Sequence, residues 1–170
     1  QEGLPQSAFV FACFNKLSKI APDIFDIWMR LLHAVEGSVL WLQDTDRAAK
    51  HNLRHEAEAR GIPASRLVFA RTKKLLELHL ARLSLADLFL DTLPYNAHAT
   101  GVEALWAGLP LLTCRGNSFP GRVASGLLRA AGMPELITTS LAEYEQLAIV
   151  LARDPGRLAA LKKKLVRNRD

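Results

Sequence analysis

The sequence predicts an α/β fold, a Rossmann-like parallel sheet of about six strands flanked by helices. Three observations predict it. Short runs apolar on both faces alternate with longer segments of helical periodicity, and the segments between successive runs are long enough for crossover helices. The runs also lack the in-out alternation of a sheet with one wet face. Strands apolar on both faces need cover on both sides, and parallel neighbours need crossovers; helices on both sides of one sheet meet both demands.

The elements follow in order. AFVFACF (8–14) reads as a buried strand, and PDIFDIWMRLLHAV (22–35) as a helix with a proline start and Ile24, Trp28, Leu31 and Leu32 on one face. SVLWLQ (38–43) and RLVFA (66–70) are strands separated by a charged helix from about Thr45 to Arg60, closed by Gly61 and Pro63. KLLELHLARLS (74–84) is an amphipathic helix, ADLFLD (86–91) a strand, GVEALWAG (101–108) a short helix and LPLLTC (109–114) a strand. PGRVASGLLRAAG (120–132) reads as a helix ending at Gly132, and ELIT (135–138) as the last strand. Two helices close the chain, 141–154 and 155–168, the second with Pro155 in its first turn.

Composition bounds the function. With 170 residues, 49% of them hydrophobic and 23% charged, residues 1–170 are expected to form one globular domain with a sizeable core. The net charge of +5 suits a phosphate-bearing ligand, nucleic acid or an acidic partner without choosing among them. Much of that excess sits in Arg47–Arg60 and Lys162–Arg169, both helical, where a solvated face is the simpler account; nucleic-acid binding is not expected. Cys13 and Cys114 each lie in an apolar strand, which favours buried, reduced thiols and a cytoplasmic setting. No stretch reaches the ~18 apolar residues of a membrane span, and the start carries neither a basic leader nor a cleavage pattern, so no membrane partner is expected. A chain opening almost directly on a strand and stopping within a charged helix reads as part of something larger.

In parallel sheets ligands bind beyond the carboxyl ends of the strands, so the informative residues follow each apolar run. These are Asn15–Lys19, Gln43–Asp46, Ala70–Lys74, Thr92–Thr100 and Arg115–Pro120. After ADLFLD comes TLPYNAHAT, which delivers His98 and Thr100 to the start of a helix whose unpaired N–H groups and positive dipole end favour an anion. Gly101 allows close backbone approach, Thr100 can cap the helix or donate to a phosphate, and Glu103 can accept from two sugar hydroxyls. Thr100 and Glu103 equally match the S/T-x-x-E capping box, so structural and ligand readings both stand. There is no G-x-G-x-x-G after the first strand, no P-loop, no G-x-S-x-G elbow and no H-E-x-x-H or Cys/His spacing, which argues against dinucleotide oxidoreductases, P-loop NTPases, hydrolases of that type and metal sites.

The run ADLFLDTLPYNAHATGVEALWAGLPLLT, with FNKLSKI upstream and FPGRVASGLL downstream, closely resembles the carboxyl-terminal half of the catalytic region of O-linked N-acetylglucosamine transferases. With Spindly-type fucosyltransferases and bacterial relatives, these form a family of the two-domain GT-B type, often preceded by tetratricopeptide repeats. The resemblance covers nearly the whole chain and implies that it is the donor-binding half, working with an N-terminal catalytic half and a protein acceptor.

The resemblance also assigns residues. His98 and Thr100 match the family's diphosphate-contacting His-Thr-Thr, with Ala99 in place of the middle threonine, keeping the amide and losing a hydroxyl. Glu103 falls where the family places an acidic residue, usually aspartate, on the ribose. Lys19, the last lysine of FNKLSKI, matches the one that neutralises the diphosphate leaving group and is the expected catalytic residue. Lys16 falls where some members carry a glutamine near the diphosphate. His79 and Arg82 match an H-x-x-R at the nucleotide, and Leu76 replaces a lysine that some members carry. The implied reaction is inverting transfer of a sugar from a nucleotide diphosphate, N-acetylglucosamine from UDP-N-acetylglucosamine first among candidates, to protein Ser/Thr hydroxyls, with no metal or other cofactor. GDP-fucose and UDP-glucose stand as alternative donors. The Ala99 and Leu76 departures motivate a second reading, a scaffold module with a degenerate nucleotide site. For the isolated chain, weak nucleotide binding without transfer is expected.

Overall fold

The structure is a computed structural model that describes residues 2–44 and 46–169. Six strands, β1 (Val10–Cys13), β2 (Val39–Gln43), β3 (Leu67–Ala70), β4 (Leu88–Leu90), β5 (Leu111–Cys114) and β6 (Ile137–Thr138), form one sheet in the order β3-β2-β1-β4-β5-β6. Every pairing is parallel. That is the 3-2-1-4-5-6 order of doubly wound folds, and its direction of winding reverses between β1 and β4. The α/β expectation of about six parallel strands holds.

Burial explains the apolar strands. Phe11, Ala12, Cys13, Leu40, Trp41, Leu42, Phe89, Leu111 and Leu112 are fully buried, sandwiched between the helix layers. The helices are α1 (Pro22–Ala34), α2 (Arg47–Ala59), α3 (Leu76–Leu83), α4 (Ala99–Trp106), α5 (Val123–Ala130), α6 (Leu141–Arg153) and α7 (Pro155–Arg169). α1 buries Ile24, Trp28, Leu31 and Leu32, as its spacing requires. Its Trp28 Nε1 donates to the hydroxyl of Tyr144 on α6, and that hydroxyl donates to the Asp91 carbonyl at the end of β4, so the layers are joined by a polar chain inside the apolar core.

Element ends depart from expectation where local chemistry intervenes. The proposed start of α2 at Thr45 lies outside the described residues; Asp46 caps that helix, accepting from the Ala48 and Ala49 amides. α5 begins at Val123 rather than Pro120, because Gly121 accepts from the Gly116 amide and Pro120 from the Asn96 amide, committing those carbonyls to a loop. The last strand keeps only Ile137 and Thr138, since Pro134–Leu136 form a 3-10 turn. α4 begins two residues earlier than expected and stops before Gly108, whose φ of 79° is a left-handed conformation that glycine adopts without strain.

Candidate functional site

At the point where the winding reverses, the carboxyl ends of β1 and β4 deliver Asn15–Lys19 and Asp91–Thr100 to one crevice, the place where ligands bind in such sheets. Asp91 organises it. Fully buried, its Oδ1 accepts from the amides of Thr92 (2.8 Å) and Ala97 (2.7 Å) and from Asn15 Nδ2 (3.3 Å), while Oδ2 accepts from Thr113 Oγ1 on β5 (2.7 Å). Burial pushes this carboxyl up to about 6, opposed by the hydrogen bonds from Thr113, Ala97, Thr92 and Asn15. The loop between β4 and α4 is held further by Asn96, whose Nδ2 donates to the Thr92 carbonyl, and contains a cis Leu93–Pro94 bond.

His98 stands at the N-cap of α4. Its ring stacks on Tyr95 with centroids 4.9 Å apart, and its Nε2 is buried with no hydrogen-bond partner among the described residues. The Gly101 and Val102 amides both bond back to the His98 carbonyl, whereas the amides of Ala99 and Thr100, first in the helix, have no intrahelical acceptor by geometry. Lys19 joins the same cluster from the β1 side: its Nζ donates to the Asn96 carbonyl at 3.2 Å and lies 4.0 Å from the Tyr95 ring centre. Burial lowers the Lys19 ammonium below the ordinary lysine range, with the Asp91 charge acting against it. The column Lys19–Tyr95–His98 thus gathers a cation, an unpartnered imidazole nitrogen and a helix N-terminus.

A second group lies one turn along α4. Glu103 Oε2 meets His79 Nε2 at 3.2 Å, and His79 Nδ1 in turn faces the Arg82 guanidinium, 2.8 Å from Nη2. Arg82 is 5% exposed, lies 4.9 Å over the Phe14 ring and donates to the Arg71 carbonyl. Since guanidinium nitrogens only donate, Nδ1 accepts and the ring proton sits on Nε2, facing Glu103. Burial, then the Arg82 charge, lowers the His79 imidazolium below its usual range, and Glu103 opposes that.

The capping-box reading of Thr100 and Glu103 is not what the structure contains. Thr100 is the second helical residue and its hydroxyl donates to Asn15 Oδ1, while Glu103 turns to His79. An S-x-x-E cap of related form occurs instead at α6, where Ser140 accepts from the Glu143 amide and Glu143 accepts from the amide of Thr139, one residue before the cap. Of the expected residues, Lys19, His98, Ala99 and Thr100 come together, with Glu103, His79 and Arg82 adjoining through α4. Lys16, exposed, lines a hollow of about 510 Å³ against α2 with Asp46 and Asn52, and its charge acts on the Lys19 ammonium of the cluster. Asn15, Asp91 and Tyr95 organise the site but were not singled out from the sequence; the signal available was position alone, since each sits at or just beyond a strand end.

Residues 1–170 match the family model described as glycosyl transferase family 41. The chain belongs to that family. Among curated relatives of this family 41 chain is a probable UDP-N-acetylglucosamine–peptide N-acetylglucosaminyltransferase, SEC, of Arabidopsis thaliana, 40% identical over 164 residues, 96% of this chain and 17% of the relative. The Caenorhabditis elegans UDP-N-acetylglucosamine–peptide N-acetylglucosaminyltransferase is 38% identical over 97% of this chain and 14% of its own length. A solved structure of an O-GlcNAc transferase mutant from Thermobaculum terrenum superposes with a TM-score of 0.89 at 36% identity, covering 98% of this chain and 34% of that one. The family 41 chain therefore spans about a sixth of the length of these curated relatives, and its sheet corresponds to one Rossmann-like half of a GT-B enzyme.

Proposed function

We propose that this chain is the sugar-nucleotide donor half of a protein glycosyltransferase, moving N-acetylglucosamine from UDP-N-acetylglucosamine to Ser/Thr hydroxyls with inversion and without a metal. The observation that carries the reading is the buried Nε2 of His98, without a hydrogen-bond partner among the described residues, beside the first amides of α4 and with Lys19 in the same cluster. A buried polar atom without a partner is costly, and an anion at this spot would satisfy it. A diphosphate there would receive the Ala99 and Thr100 amides and His98, and the Lys19 ammonium would offset the charge that grows on it as the sugar departs, a preorganised electrostatic contribution to catalysis. Glu103, one turn on, is spaced to meet ribose hydroxyls, and the His79–Arg82 pair flanks the nucleoside side. The curated relatives, named UDP-N-acetylglucosamine–peptide N-acetylglucosaminyltransferases, support a peptide acceptor and an N-acetylglucosamine donor. The acceptor and the groups that take its proton belong to the rest of the enzyme in this proposal, which also includes an N-terminal catalytic half, tetratricopeptide repeats and a cytoplasmic setting. Among the described residues no helix is long and apolar enough to cross a membrane.

Calorimetric titration of the chain with UDP and with GDP tests the reading. Saturable UDP binding that weakens in Lys19→Ala and His98→Ala supports it. Binding of neither nucleotide at millimolar concentration sinks it in favour of the scaffold module, because a ligand that binds only the folded state must stabilise it. Preference for GDP would redirect the donor assignment to GDP-fucose.

A further inference from the structure

The hydrogen-bond network around Asn15 fixes what the Thr100 hydroxyl can do. Asn15 is 1% exposed and makes three side-chain bonds: its Nδ2 lies 2.8 Å from Thr92 Oγ1 and 3.3 Å from Asp91 Oδ1, and its Oδ1 lies 2.5 Å from Thr100 Oγ1. Each partner constrains the next. Thr92 has one hydroxyl proton and gives it to the Tyr95 carbonyl at 2.6 Å, so toward Asn15 it accepts. Asp91 also accepts, holding amide donors from Thr92 and Ala97 on the same oxygen. The side-chain NH2 of Asn15 must therefore face Thr92 and Asp91, which leaves its carbonyl facing Thr100 and obliges Thr100 to donate. A threonine has one hydroxyl proton, and here it is spent.

We propose that Asn15 is a positioning residue of the donor site: it takes the only hydroxyl proton of Thr100 and so ties the first turn of α4 to the carboxyl end of β1, leaving the diphosphate to the Ala99 and Thr100 amides rather than to the Thr100 hydroxyl. The inference rests on the donor-site reading above and deepens it. It also gives a reason why Ala99 is tolerated: a site that recognises phosphate through backbone amides does not require a hydroxyl at either position. The buried Asp91 carboxylate is the anchor of this chain of contacts, because it sets the orientation of Asn15 and, through the Ala97 amide, the path of the loop entering α4.

A double-mutant cycle on UDP affinity tests the proposal in the full-length chain. Asn15→Ala and Thr100→Val are each expected to weaken UDP binding about tenfold or more, with the double variant no weaker than Asn15→Ala alone, since the Thr100 contact is one of the three that Asn15→Ala removes. Thr100→Ser, which keeps the donor, is expected to bind within about twofold of wild type, a rescue that loss of general stability would not give. Additive losses, or Asn15→Ala binding like wild type, overturn the proposal and leave the donor-site reading intact. Absence of UDP binding by wild type overturns both. Should Asn15→Ala not fold, NMR of the Thr100 hydroxyl proton decides: it is expected to stay slow to exchange and to keep its close contact with Asn15 when UDP is added, and loss of that contact on binding, as the hydroxyl turns to donate to a phosphate oxygen, overturns the proposal.

Discussion

Glu103 on α4 holds the Nε2 side of His79 on α3, 3.2 Å away, while Arg82 holds the other ring nitrogen. The pair joins the two helices that flank the proposed nucleotide. Glu103→Gln removes the charge that supports the imidazolium, so the His79 titration, already below the usual histidine range, is expected to move lower still. A depressed histidine contributes stability above its unfolded value of about 6.5 and loses it as pH falls through the folded value. The same variant is expected to weaken UDP binding up to about tenfold, because the neutral amide keeps one acceptor oxygen but loses the charge that strengthens the ribose bond. NMR titration and calorimetry read the two effects separately.

Lys19→Ala is expected to lower kcat of the full-length enzyme by about a hundredfold or more, the scale seen when one preorganised charge-stabilising group is removed. The Lys19 side chain is only partly buried, so the thermal midpoint is expected to change little. A kcat near wild type would remove Lys19 from the catalytic assignment.

Ala99→Thr tests the departure from the family pattern. Ala99 is exposed at the first position of α4, where a β-branched residue meets no preceding helical turn. With the Thr100 hydroxyl committed to Asn15, this substitution adds a hydroxyl at the helix start, and UDP is expected to bind up to about tenfold more tightly, as one added bond to a charged group allows. Unchanged or weaker binding would show that the site has no use for a hydroxyl there.

Asp91 is expected to titrate near pH 6, read by carboxyl NMR. Because its folded value lies above its unfolded one, its contribution to stability is greatest below about pH 4 and is lost as pH rises through about 6. Asp91→Asn is expected to flatten that part of the stability profile. A wild-type profile unchanged by the substitution would contradict the assignment.

Gly121 lies where the 115–122 loop passes under the loop entering α4. A Cβ there would sit 2.9 Å from the Pro94 carbonyl oxygen, a backbone atom with no rotamer to yield. Gly121→Ala is expected to cost about 1–3 kcal/mol, the usual range for overpacking, and to weaken UDP binding by displacing residues 92–98. Chemical denaturation and calorimetry check both; a neutral stability change would show that the loop can move aside.

The legibility of the sequence followed the range of the interactions. Alternation of apolar runs with helical stretches announced six parallel strands and their helices, because burial on both faces leaves a mark in every strand residue, Phe11 and Leu112 alike. Helix limits were less legible. Pro120 and Gly121 look like the start of a helix, yet their carbonyls serve Asn96 and Gly116, partners outside that helix that no local pattern reveals.

Within the site, the sequence by itself determined where to look, at the residues beyond β1 and β4, and the motif around His98 tied them to a family through a resemblance the comparisons bear out. Only the tertiary structure decided how those residues are used. Thr100 and Glu103 carry the letters of a capping box, but Asn15, 85 positions away, claims the threonine hydroxyl, and His79 from another helix claims the carboxylate. The physical reason is that a hydroxyl has one proton and takes the acceptor that geometry presents, and the sheet places Asn15 and His79 at the start of α4.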